Sequence, residues 1–191
     1  AAHDFWIEPS DYEPEIGASV TFTLRIGDHF LGIPYPRKRD HLLQFVAHDA
    51  SGIRPVAGRF GATPAGWIRV AEQGTMVVGY RSARTSVSLE AAAFESYLRE
   101  VGLERIIQMR AVRGESAKEG IEAYSRCAKT ILSSGTTPDA GYKRMLGLDL
   151  ELVPEQSPRG GLQARTLTVR TFFRGKPVAG LKVAAIHEDA F

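Results

Sequence analysis

The sequence predicts a mainly β protein, a β-sandwich of short strands interrupted by a pair of helices. Three observations carry this expectation. Val20, Phe22, Leu24 and Ile26 alternate with Thr21, Thr23 and Arg25, the period of two of a half-buried strand. Similar short runs recur with turn residues every 8–12 residues or so, the spacing of a sandwich. Between Ser88 and Arg113 the period lengthens to that of helices.

Taken in order, Glu8 to Glu15 holds Pro9, Ser10 and Pro14 and reads as a loop. Ala18 to Ile26 is the alternating strand, ended by Gly27-Asp28. His29 to Arg39 reads as irregular around Pro34 and Pro36, and Arg37-Lys38-Arg39 as a solvated basic loop. Leu42 to His48 is a strand, Asp49 to Gly52 a hairpin turn, and Ile53 to Val56 the return arm. Trp67–Val70 and Thr75–Arg81 are further strands, with Met76, Val78 and Tyr80 on one face.

Ser88 is a plausible N-cap for a helix from Leu89 to Val101, with Ala91, Phe94, Leu98 and Val101 on one stripe and Gly102 as its stop. Leu103 to Arg113 is a second helix, so the insertion covers about residues 88–113. Tyr124 to Ser133 fits either a helix or a strand, and periodicity tips it towards helix. Leu146 to Val153 is a strand stopped by Pro154, and Ser157 to Gln163 reads as a linker. Thr166–Phe173 and Leu181–His187 form a hairpin about Gly175-Lys176-Pro177. A lone hairpin needs a partner surface. The expectation is therefore a sandwich over 1–156 and the start of a second β domain over 157–191, in a fragment of a longer protein.

Composition narrows the function classes. Hydrophobic residues make up 43% of the 191, enough for a core. No apolar run approaches the roughly 20 residues of a membrane helix. Lys plus Arg is 24 against 22 Asp plus Glu, interspersed, so no nucleic-acid partner is expected. Cys127 is the lone cysteine and reads as a buried, inert thiol. There is no Gly-x-Ser-x-Gly, no identifiable acid pair and no phosphate-cradling loop, so an enzyme is not expected.

Four landmarks carry a family resemblance. They are His3-Asp4-Phe5-Trp6-Ile7-Glu8-Pro9-Ser10; Gly114-Glu115-Ser116 with Tyr124 to Lys129; Gly147 to Glu155; and Gly175 to Val183. In their order and spacing they resemble a bacterial exported family of unknown function, often found as a periplasmic component beside nickel and cobalt uptake transporters. The resemblance implies a removed signal peptide and an immunoglobulin-like β-sandwich with a helical insertion. It also implies a second immunoglobulin-like domain and a strand at Tyr124–Ser133. Its one residue-level implication is the amino-terminal histidine, His3. The Ala1-Ala2 start matches a small-residue signal-peptidase site, although an engineered start would give the same residues.

The chemistry expected there is metal binding. With Ala1 first, its amine, the amides of Ala2 and His3 and the His3 imidazole form a four-nitrogen plane that suits Ni(II) or Cu(II). With His3 first, its amine and imidazole chelate as a pair, and His29, His41 or His48 complete the site. Phe5 and Trp6 read as core anchors, and Asp4 and Glu8 as solvated acids. The expected function is a non-enzymatic periplasmic protein that binds or delivers nickel or cobalt to a membrane transporter. The alternative is a structural or carbohydrate- or protein-binding module with no metal.

Overall fold

A computed structural model describes residues 3–159 and 166–186. Its elements are β1 (Asp4–Pro9), β2 (Ser19–Asp28), β3 (Leu31–Tyr35), β4 (Leu42–Asp49), β5 (Gly52–Pro55), β6 (Gly66–Arg69), β7 (Gly74–Ser82), β8 (Thr85–Leu89), α1 (Ala91–Glu100), α2 (Glu104–Val112), β9 (Gly120–Tyr124), β10 (Cys127–Ser134), β11 (Leu150–Pro154), β12 (Val169–Phe173) and β13 (Lys176–Pro177).

The fold is mainly β and forms a sandwich. One sheet runs β1-β2-β3, with β6 also paired to β2; the facing sheet runs β10-β7-β4-β5. All pairings are antiparallel. The alternation read in β2 sends Val20, Phe22 and Leu24 into the core, where they meet Phe45, Met76, Val78 and Tyr80 from the facing sheet. Burying such side chains contributes about 1.5–3 kcal/mol each before chain entropy is subtracted. The other face of β7 is also covered: Val77 packs against Leu146 and Leu148. Those two leucines precede the strand expected to include them, which begins only at Leu150.

β1 runs into the first two residues of the loop expected from Glu8, and β3 lies within the stretch read as irregular. Pro9 ends β1 opposite Phe22, and β1 takes its place from its pairing with β2. β3 contains Pro34, which a strand tolerates at a sheet edge, and β3 is the edge. The basic triplet is not simply solvated. Arg37 donates to the Val56 and Ala65 carbonyls at 3.2 Å and lies over the Phe45 and Phe60 rings, and its burial lowers its pKa.

The helical insertion hangs from a two-stranded ribbon, β8 with β9, which prolongs the β7–β10 ladder. Ser88 belongs to β8 rather than capping a helix; Glu90 stands at the α1 N-cap with no side-chain cap. Gly102 (φ +77) ends the helical turn, as expected. α1 buries Phe94, Tyr97 and Leu98, while α2 buries none of its residues. β9 and β10 replace the helix that periodicity favoured over Tyr124–Ser133. The burial of Ala128, Thr130, Leu132 and Ser134 alternates along β10, and pairing to β7 fixes it.

The C-terminal region departs from the expected hairpin. β12 pairs with β11 on one side and with the two-residue β13 on the other. Leu181–Ile186 is not a strand, and His187 lies outside the described residues. The β11–β12 ladder thus joins residues on either side of position 156.

Candidate functional site

The amino-terminal strand meets the tip of the β2–β3 hairpin. Asp4 pairs with Gly27, which brings residue 3 beside the turn Asp28-His29-Phe30-Leu31. His29 and Phe30 adopt φ 53 and 61, the left-handed pair of a tight hairpin turn. The Asp4 carboxylate accepts from the His29 backbone N–H at 3.1 Å and fixes that turn. The His3 Nδ1 lies 3.3 Å from an Asp28 carboxylate oxygen, with side chains 52% and 58% exposed. A pair so exposed is worth about 0–1 kcal/mol, so it orients the imidazole without locking it.

Two aromatics pin this end, on opposite faces. Phe5 packs against the core, with ring centroids 5.6 Å from Tyr35 and 5.1 Å from Tyr80. Trp6 lies on the outer face, edge-on to Phe30 at 5.6 Å and over Gly32. A Cβ on Gly32 would sit 2.5 Å from the indole, so only glycine admits it. Trp6 is thus an anchor of the hairpin, not of the core. Glu8 pairs with Arg25 while its side chain stays 41% exposed.

Of the other expected ligands, His29 joins His3 at the hairpin tip. His48 does not: it lies on β4 in the facing sheet, opposite Val77, with its Nδ1 buried and unpartnered among the described residues. His41 is engaged elsewhere, its Nδ1 2.6 Å from the Tyr35 hydroxyl. Ala1 lies outside the described residues. Among the described residues, no group of three or more His, Cys, Asp or Glu is arranged to hold a metal ion. The donor set there is the His3 imidazole beside the Asp28 carboxylate.

His3 also lines a cavity of about 280 Å³ between the β8–β9 ribbon and α1. Val87, Glu122 and Tyr124 share one face of the ribbon, and Tyr97 faces them from α1. The approach is set at Gly120, where an added Cβ would lie 2.0 Å from the Phe94 ring. The Tyr97 hydroxyl donates to Glu122 at 3.0 Å, and its pKa is pushed up to about 12, first by burial and then by that bond.

The remaining wall is Arg126, at the β9–β10 junction. Its guanidinium lies 5.6 Å from the centroid of Phe5, 5.8 Å from Tyr35 and 4.9 Å from Tyr124. It also lines a second, more apolar cavity of about 650 Å³ with Phe173 and Leu181. Cys127 lines this second space and packs against Val77 and its neighbours, in keeping with a half-buried structural thiol. Arg126 was not singled out from the sequence. Its rings stand far apart in the chain, and only the fold gathers them.

Over residues 1–190 the sequence matches the family described as "Domain of unknown function (DUF4198)". No curated protein and no solved structure matches.

Proposed function

The chain belongs to the DUF4198 family, and from that premise we propose that it is a non-enzymatic, exported protein that carries a divalent transition metal. Nickel or cobalt is the cargo, taken up at the His3–Asp28 corner and passed to an uptake transporter from the periplasm. The observation that carries this reading is the His3–Asp28 pair at 3.3 Å. An imidazole that donates Nδ1–H to a carboxylate is fixed in the tautomer whose Nε2 lone pair is free to bind a metal. Imidazole suits nickel and related divalent ions.

The two ways His3 could act use this contact differently. An imidazole that closes a chelate ring with its own backbone nitrogen must use Nδ1, the atom Asp28 faces. The four-nitrogen plane with Ala1 therefore requires the Asp28 contact to break, whereas ligation through Nε2 keeps it. The proposed site is of the second kind: one imidazole from the protein, with water or the cargo's own ligands filling the remaining positions. One imidazole makes a weak site, which suits release to a transporter.

Calorimetric titration of Ni(II), Co(II) and Cu(II) tests the reading. His3→Ala should abolish binding, and His48→Ala should leave it unchanged. Equal affinity in wild type and His3→Ala would sink it. Absence of any heat would favour the alternative, a binding module with no metal.

A further inference from the structure

We infer that the cavity under α1 is a binding site for a small zwitterion of the amino-acid class, with Arg126 receiving its carboxylate and Glu122 its ammonium. The reading starts from how Arg126 is held. Aromatic rings occupy the guanidinium's surroundings at 4.9–5.8 Å. Among the described residues its side chain makes no hydrogen bond and no ion pair. A half-buried guanidinium carries planar, forked N–H donors that match a carboxylate two to two. Its nitrogens stay open to the cavity, and a cation held this way against ring faces is poised for an anion.

Glu122 supplies the opposite sign on the same cavity wall. One of its oxygens accepts from Tyr97, and among the described residues its carboxylate pairs with no cation. It lines the cavity together with Arg126, yet the two side chains do not pair with each other. A ligand bearing both a carboxylate and an ammonium satisfies both. Val87, Leu89 and Tyr124 line the same cavity and offer apolar surface to the rest of the ligand. The volume, about 280 Å³, lies at the small end of ligand sites and excludes a large solute.

The inference does not depend on metal binding, and its test is run with a chelator present. The probes are the free amino acids, each with its deaminated acid and its decarboxylated amine. Thermal shift finds the binders and calorimetry measures them. At least one free amino acid should bind wild type. Arg126→Gln should weaken it and its deaminated acid by about tenfold or more, the loss of a charge-assisted hydrogen bond. Glu122→Gln keeps an oxygen for Tyr97. It should weaken the amino acid and leave the deaminated acid unchanged, and this variant decides the matter if Arg126→Gln fails to fold. If no amino acid binds wild type, or Glu122→Gln weakens both probes equally, the inference is overturned.

Discussion

The Tyr97 hydroxyl donates to the Glu122 carboxylate at 3.0 Å and ties α1 to β9 across the cavity. Tyr97→Phe should cost about 1.5–3 kcal/mol in denaturant unfolding at neutral pH, the range for a hydrogen bond to a charged group. An unchanged midpoint would mean that the insertion is held by Phe94 and Leu98 alone.

The same phenol makes stability pH-dependent on the alkaline side. Burial foremost pushes both Tyr97 and Tyr80 from an ordinary value of 10.0 up to about 12. The fold therefore keeps two protons that the unfolded chain gives up first. This contribution is complete below about pH 10 and is lost as pH rises through the folded values near 12. Unfolding free energy should fall over that window, and Tyr97→Phe should flatten the fall. An identical slope in the variant would contradict the assignment.

Lys129 and Glu151 form the most buried ion pair among the described residues, at 2.8 Å with side chains 9% and 0% exposed. The backbone N–H of Leu146 donates to the same Glu151 oxygen at 2.7 Å. Lys129→Met leaves that carboxylate buried without its cation and should cost about 3–5 kcal/mol. The double variant Lys129→Met/Glu151→Leu should lose less than the single one. A double variant that is worse by the sum of the two would show that the pair is not coupled.

Gly120 sets the height of α1 above the ribbon. Gly120→Val should drive Phe94 outward and destabilise by about 1–3 kcal/mol, as overpacking does. Unfolding with unchanged stability would place α1 less firmly than its contact with Gly120 requires.

Much of the sandwich was legible because β2, β4, β7 and their turns carry their own period. The strands that periodicity did not reveal carry no such signal. β1 mixes two aromatics with acids and a proline, and β3 contains Pro34; each is a strand because β2 pairs with it. β10 alternates buried and half-buried residues, but Ala128, Thr130 and Ser134 are too small or too polar to display that as hydrophobic alternation. At the site, His3 stood out by position alone. Its partner Asp28 is 25 residues away, and only the β1–β2 register brings the two together. Arg126 was invisible for the same reason: a single arginine looks solvated until rings from β1, β3 and β9 are seen to surround it.

The most direct measurement of the central claim is substoichiometric Co(II) titration followed by proton NMR of the histidine rings. The account predicts that His3 broadens first, that His41 and His48 stay sharp, and that Asp28→Asn weakens the effect by releasing the imidazole's orientation. Broadening centred on His41 or His48, or a stronger effect in Asp28→Asn as a four-nitrogen amino-terminal chelate would give, would contradict it.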